Sequence, residues 1–534
     1  MKYFPTIGLE IHVELKTQAK MFCQCANNFD EASPNVNICP ICMGQPGALP
    51  AGVNEKAAEQ TLKICLALRC SICEAPQFWR KNYFYPDLPK GYQITSQKSP
   101  FGERGFVETN EGRVGIHHIH LEEDTARLLH PAGASYSLID FNRSGVPLLE
   151  LVSEPDIHSS QQAREFCQKL QLIFRYLGAS DADMEKGQMR CEVNISLQST
   201  AHSLQSTDNS LQSTVGRRLS IVDRRLLTVD RLGTKVEIKN LNSFRSVEKA
   251  IDYEIKRQGD LLDHGEKIIQ ETRGWHDAKQ ITFSQRVKEE AHDYRYFPEP
   301  DLPPLDLTSK NSLWVIDDIK RQLPELPEQR LTRLQKEHGL PVGQAEVLVS
   351  NYKLGDYFEN VISELRAWLK TGIESIVLSG KDLRVEQDAS SQTTVNPIRL
   401  AANYLITEIP KLLVLYQKNM ADLKITPENF AEFIALVCQD KVSSSGAQSL
   451  LAEMFLTGGD PSNIIEAKGL AQVSDQSALE QAVLEVIKNN PQPAADYQSG
   501  NINVLQFLVG QVMRQTQGQA NPKIVQEILK QKLI

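Results

Sequence analysis

The chain has 534 residues, 41% of them hydrophobic and 23% charged, with a net charge of −9. That composition fits several globular domains with their own cores and excludes a disordered or fibrous chain. It argues against indiscriminate coating of nucleic acid, although local basic patches still grip phosphate. No apolar run approaches the ~20 residues needed to cross a bilayer, and the start, MKYFPTIGLEIHVEL, has no signal-peptide core, so a cytoplasmic protein is expected.

The first element is a strand over Thr6–Leu15. Ile7, Leu9, Ile11, Val13 and Leu15 alternate with Glu10, His12 and Glu14, the period of a sheet with one buried face. Next come Cys23-x-Cys25 and Cys39-x-x-Cys42. Two close thiol pairs joined by a short loop suit a tetrahedral Zn²⁺ site, closed and therefore structural. Cys65 and Cys70 fit a buried helix, and Cys70-x-x-Cys73 is left unassigned. Residues 80–93, RKNYFYPDLPKGYQ, interleave aromatics with cations, a composition that stacks on bases or simply packs as a Pro-rich loop.

In Val114–Asp124, alternation puts His118, His120, Glu122 and Asp124 on one face and Glu123 on the other. With Glu10 and His12 on a companion strand, this acidic and imidazole-rich face suits Mg²⁺; a solvated polar strand face is the alternative. Helical spacing of Ala163, Phe166, Leu170, Phe174 and Leu177 predicts a helix over Ser160–Leu177 with Gly178 beyond it. Met189–Leu197 and Thr234–Leu241 alternate as strands. Between them residues 196–230 repeat a seven-residue unit without the paired apolar positions of a coiled coil, which reads as an expanded loop at 198–232. Ser243 is expected to cap a helix ending at Gly259.

Beyond the proline-rich stretch Phe297–Pro304, helical periodicity dominates, down to a last helix capped by Asn521 with Pro522 at its first turn. The expected architecture is α+β: an antiparallel sheet with helices over residues 1–298, an all-helical domain over 299–407 and a helical tail over 408–534. No P-loop, dinucleotide fingerprint or nucleophile elbow occurs, so any ATP chemistry must run through metal and side chains.

The strings GLEIHVEL, FCQC, CPICMGQPGALP, RKNYFYPDLPKGYQI, HLEED, DFNRSGVPLLELVSEPD, EIKNLNSFR and KEEAHDYRYFPEPDLPPL run in one order across residues 1–305. They resemble the B subunits of the aspartyl/glutamyl-tRNA amidotransferases, and the C-terminal part resembles the YqeY-like tail of that family. The resemblance implies a cradle domain that uses ATP and Mg²⁺ to phosphorylate Glu on tRNA(Gln) or Asp on tRNA(Asn). It implies partners too, an amidase A subunit (GatA) supplying ammonia and a small C subunit (GatC). By motif it nominates Glu10, His12, Glu122 and Glu123 for Mg²⁺, with Asp124 beside them, and Lys81 and Lys239 as catalytic cations. Tyr83, Tyr85, Lys90, Arg143 and Arg245 are nominated for substrate or phosphate, Lys90 alternatively for the ammonia path. Asn142, Asn194 and Asn240 are read as orienting substrate or as structural. The chain departs from the family pattern at Thr125-Ala126-Arg127, at Glu192 in place of Asp, at Gln517-Gly518-Gln519 and in the repeat. A non-catalytic tRNA-binding scaffold is the alternative function.

Overall fold

The computed structural model describes residues 2–29, 32–131, 133–199, 233–287, 293–310, 312–372, 376–379, 382–385, 396–472, 476–516 and 518–533. The seven-residue repeat beyond Ser199, its arginines and residues 288–292 of the KEEAHDY string lie outside them, as does Gln517. The chain divides into two compact units, Met1–Leu326 and Pro327–Ile534.

The first unit contains strands β1 (Tyr3–Glu14), β2 (Ser71–Ile72), β3 (Trp79–Asn82), β4 (Tyr92–Thr95), β5 (Gly102–Thr109), β6 (Gly112–Glu123), β7 (Arg127–Leu129), β8 (Leu138–Asp140), β9 (Pro147–Ser153), β10 (Met189–Ser199), β11 (Val236–Leu241), β12 (Glu271–His276), β13 (Ile281–Val287) and β14 (Phe297–Pro298). Among the described residues twelve form one sheet in the order β13-β12-β11-β10-β1-β9-β6-β4-β3-β14, with β5 beside β6 and β2 beside β5. Pairing is antiparallel except between β11 and β12, which run parallel, so the sheet is mixed rather than purely antiparallel. The sequence around β11 and β12 fixes which face each residue takes but not the direction of its neighbour.

Alternation along β1 and β10 separates two faces. Ile7, Ile11, Val13, Val193 and Ile195 are wholly buried against three helices, α1 (Glu55–Ala67), α2 (Ser160–Tyr176) and α3 (Phe244–Asp263). Asn54, Ser159 and Ser243 cap them, each side chain accepting a backbone N–H of the first turn. Helix α3 runs past Gly259 to Asp263, and Gly265 supplies the left-handed residue beyond it. Gly259 lies inside the helix, where an added Cβ would make only ordinary contact with the Tyr3 ring at 3.5 Å, so it does not act as the cap.

The first unit does not end at residue 298. Phe297 and Pro298 pair with β3, and Leu302, Leu305, Leu307, Trp314 and Ile319 are buried in the same core. The proline-rich stretch is therefore a packed extension of the sheet, and the expected boundary moves to residue 326. In the second unit, helix Tyr352–Gly372 packs against Pro427–Cys438. Buried Arg330 is held 2.8 Å from both Asp356 and Glu359. The unit is not all helical, since β15 (Ile376–Ser379) and β16 (Asp382–Val385) form an antiparallel hairpin. Nor does the chain break at 407/408: Pro397–Asn403 continues through a π-turn at Tyr404–Glu408 into Ile409–Leu415, which accommodates the missing N–H of Pro410. A separate cluster around Val483, Leu508, Val525 and Leu529 closes the C-terminal helices, the last of them Pro522–Leu533 with Asn521 as its cap. No helix among the described residues is long and apolar enough to cross a membrane.

Candidate active site

The second sheet face is open, and its register decides which polar residues meet. Opposite His12 stand Glu150 on β9 and Arg190 on β10; opposite Glu10 stand Val152 and Glu192. Glu150 also faces His120 on β6. Three adjacent strands, β1, β9 and β6, thus bring Glu10, His12, His120, Glu122 and Glu150 together. His12 Nε2 lies 3.2 Å from Glu150, 3.8 Å from Glu10 and 3.9 Å from Glu122. His120 Nε2 lies 3.2 Å from the same Glu150 oxygen and 3.4 Å from Glu122.

Burial sets the electrostatics. His120 is fully buried and Glu122 and Glu150 nearly so. Burial, then the Glu150 charge, raises the Glu10 carboxyl to about 7. Burial opposes charging of both imidazoles, yet Glu150 and Glu122 together outweigh it and lift His12 to about 9 and His120 to about 10. The reciprocal pull of His120 and His12 overcomes burial and holds Glu150 well below the usual carboxylate range. His118, at the edge, is pushed down to about 4 by burial and by His120 and His117.

Ligand atoms of Glu10, His12 and Glu150, and of His120, Glu122 and Glu150, fall within 4.8 Å of one another. Nδ1 of buried His120 lacks a hydrogen-bond partner, and its Nε2 meets only the carboxylates of Glu122 and Glu150. A carboxylate-rich set with an orphaned imidazole nitrogen fits a hard divalent cation that keeps some of its water.

Two nominated residues stand elsewhere. Glu123 ends β6 on the opposite side, where Lys90 Nζ contacts it at 2.5 Å and Ile94 N donates to it at 2.9 Å. Period-two alternation had already set it apart from Glu122, and the structure removes it from the acidic cluster. Asp124 accepts Arg190 Nη2 at 2.6 Å and lies 3.5 Å from Arg143, so it serves the arginines. Arg143 also donates to the carbonyls of Thr125 and Ala126, which gives the departing Thr125-Ala126-Arg127 segment a backbone role.

Cations flank the cluster. Lys81 on β3 lies 5.1 Å from the Tyr294 ring centre and 5.9 Å from that of Tyr83. Burial works against its charge, but Glu122 leads the groups that hold its pKa up. Burial, then Glu122, also pushes up the Tyr83 phenol. Tyr85 and its neighbour Phe84 are exposed at the loop tip. Across the sheet Lys239 sits 2.8 Å from Glu192 and 3.3 Å from Glu237; the extra methylene of Glu192 is spent on that ion pair. Arg245 is exposed in the first turn of α3. Asn142 is structural, donating to Ser33 O and accepting from Asn37 N, and Asn240 takes a left-handed conformation beside the β10–β11 register shift.

Cys23, Cys25, Cys39 and Cys42 converge with all four sulfurs within 4.8 Å. A tetrahedron of ~2.3 Å Zn–S bonds needs sulfurs ~3.8 Å apart, so this set fits zinc after a small contraction. The Cys39 N–H donates to Cys42 Sγ at 3.2 Å and buried Lys20 Nζ approaches it at 3.8 Å. A hydrogen bond from Cys23, then these neighbours, draw the Cys42 thiol down to about 5 against burial.

Sequence reasoning overlooked Glu150 and Arg190. Glu150 had a signal: it is the lone charge in the apolar run Leu148–Val152, where burial of a carboxylate demands a partner.

The open face of the sheet gathers buried carboxylates and imidazoles beside flanking cations, a donor set that could hold a hard divalent cation. Residues 5–312 match the GatB/GatE catalytic domain family and residues 389–533 the GatB domain of YqeY type; the chain belongs to the GatB family. It is 42% identical over its whole length, and 99% of theirs, to the aspartyl/glutamyl-tRNA(Asn/Gln) amidotransferase subunits B of Thermotoga maritima and Dehalococcoides mccartyi. It is 41% identical to that of Persephonella marina, with both chains fully covered.

Proposed function

We propose that this chain is the B subunit of a tRNA-dependent amidotransferase, which phosphorylates the side-chain carboxylate of Glu on tRNA(Gln), of Asp on tRNA(Asn), or of both, with ATP. Ammonia then displaces the phosphate to give the amide. The convergence of Glu10, His12, His120, Glu122 and Glu150 from three strands carries this reading, because a scaffold has no use for so many buried ionisable groups.

A carboxylate is a poor electrophile, and its acyl phosphate gives ammonia a good leaving group. Phosphoryl transfer asks for alignment and charge neutralisation more than covalent help. Mg²⁺ bound by these carboxylates and imidazoles would supply part of that neutralisation. Lys81 and Lys239 bracket the cluster and favour the anionic phosphoryl group on either side. Tyr83, Tyr294, Tyr85 and Phe84 offer rings to the single-stranded acceptor end of the tRNA. The Glu123–Lys90 pair on the opposite side suits a path for ammonia rather than the phosphoryl site. Zn²⁺ held by Cys23, Cys25, Cys39 and Cys42 would rigidify the loop carrying them. A heterotrimer with an amidase A subunit and a C subunit, in the cytoplasm, completes the proposal.

The test uses the assembled complex with labelled ATP and Glu-tRNA(Gln). Glu10→Gln and His12→Ala are expected to lower phosphate release at least ~100-fold, the scale of losing a preorganised electrostatic group, while tRNA binding persists. Unchanged release in both variants would sink the assignment.

A further inference from the structure

The four-cysteine loop and the Glu123–Lys90 pair lie back to back. The cavity between them measures about 10 Å³ and is lined by Phe22, Cys23, Cys42, Lys90, Glu123 and Gly145 among others. That is room for about one water molecule, so there is little slack between the two.

Their closest approach is at Gly44, two residues after Cys42. Its φ of 62° is left-handed, and a Cβ added there would fall 2.4 Å from Lys90 Cγ and 2.9 Å from Lys90 Cα. Both the backbone conformation and the close approach therefore demand glycine. The turn that carries Gly44 is closed by the Met43 and Gly44 N–H groups, which donate to Cys39 O and Ile41 O, each at 3.0 Å. Where Cys39 and Cys42 are held, Gly44 is held with them. The other flank is equally tight. A Cβ at Gly145 would meet Cys42 Cβ at 3.4 Å and Glu123 Oε2 at 3.9 Å, and Met21 N donates to Gly145 O at 2.7 Å. Buried Lys20 spans from Cys42 Sγ at 3.8 Å to the Phe141 carbonyl at 3.3 Å. Lys90 itself belongs to residues 83–91, which lie between β3 and β4 and outside the ladder. Segments of that kind open at low free energy unless packing holds them.

We propose that the cysteine loop, through Gly44, is the positioning element for Lys90, and that filling of the four-cysteine site thereby keeps phosphorylation coupled to amide formation. The proposal rests on the reading above of the Glu123–Lys90 side as the ammonia path. With Lys90 displaced, water attacks the acyl phosphate in place of ammonia. The bond from carbonyl carbon to phosphate oxygen breaks, the carboxylate is regenerated, and phosphate and a proton are released. ATP is then consumed with no amide made.

The test has two arms. Hydrogen–deuterium exchange compares the full-length chain loaded with Zn²⁺ and stripped of it by a chelator. The Leu88, Gly91 and Ile94 amides donate to Tyr85 O, Leu88 O and Glu123 Oε1. They are expected to exchange at least ~10-fold faster after stripping, while β10 keeps its protection. The second arm uses the assembled complex with Glu-tRNA(Gln), glutamine and ATP. Gly44→Ala is expected to keep stoichiometric zinc and to raise the phosphate released per amide at least ~10-fold, within the ~100-fold that a 1 Å misplacement can cost. Cys39→Ser/Cys42→Ser should raise the same ratio with the zinc lost. Unchanged exchange at those three amides would overturn the proposal, as would a wild-type ratio in both variants. So would a parallel fall in phosphate and amide with a lowered melting temperature, which would reduce the loop to a general support of the fold. A wild-type complex releasing no phosphate would end the phosphorylation reading instead, and the exchange arm would still decide whether the loop holds Lys90.

Discussion

Glu122 and Glu123 are adjacent in sequence and have opposite fates, because successive strand residues point to opposite faces. Glu122 joins two imidazoles; Glu123 is nearly buried with Lys90, whose side chain is 8% exposed. Removing one partner of a buried pair strands the other charge at a cost of about 3–5 kcal/mol, whereas replacing both is often neutral. Lys90→Ala is therefore expected to lower the urea midpoint of the first unit, and Lys90→Met with Glu123→Leu to restore most of it. Glu122→Gln should instead suppress phosphate release with little change in that midpoint. Equal stability of Lys90→Ala and wild type would show that Glu123 is not held by this contact. Much of the residue scale was legible, since alternation alone placed Glu10, His12, His120 and Glu122 on polar faces. Glu150 and Arg190 were not, because their importance comes from register between strands distant in sequence, and a sequence carries periodicity far more plainly than register.

At the scale of elements, local signals read well wherever a short-range rule governs. Asn54, Ser159 and Ser243 cap their helices because each side chain competes for a first-turn N–H. Gly259 misled, since a glycine near a helix end normally ends it, and here the helix continues through it to Asp263, with the left-handed residue at Gly265. The cysteine loop is a case where spacing and structure agree in bringing four sulfurs together. Zinc binding to such a loop is coupled to its folding. A Cys39→Ser/Cys42→Ser chain is expected to lose stoichiometric zinc in metal analysis and to be cut faster by protease within residues 16–54. Retained zinc would refute the site; lost zinc with unchanged proteolysis would leave the metal without a structural role.

For the whole molecule, the boundary between the units is a matter of burial and not of composition. Proline-rich sequence at residues 297–304 looks like a linker, yet proline tolerates sheet edges, where its missing N–H costs no ladder bond. Past that edge, Leu302, Leu305, Leu307, Trp314 and Ile319 enter the first core, and Trp314 Nε1 donates to Glu55 O at 3.2 Å. Each fully buried apolar side chain of this size contributes about 1.5–3 kcal/mol. Five of them rival the entire net stability of an ordinary domain, ~5–15 kcal/mol. A chain ending at residue 298 is thus expected to aggregate or to bind a hydrophobic dye, while one ending at residue 326 should unfold in a single cooperative transition. Cooperative unfolding of the shorter chain, with a midpoint matching the longer, would place the boundary back at the proline-rich segment. The active-site strands all precede residue 298, so the shorter chain would lose their chemistry without losing any of their residues. What the five side chains hold in place is the apolar face behind the sheet, and the register of the open face depends on it.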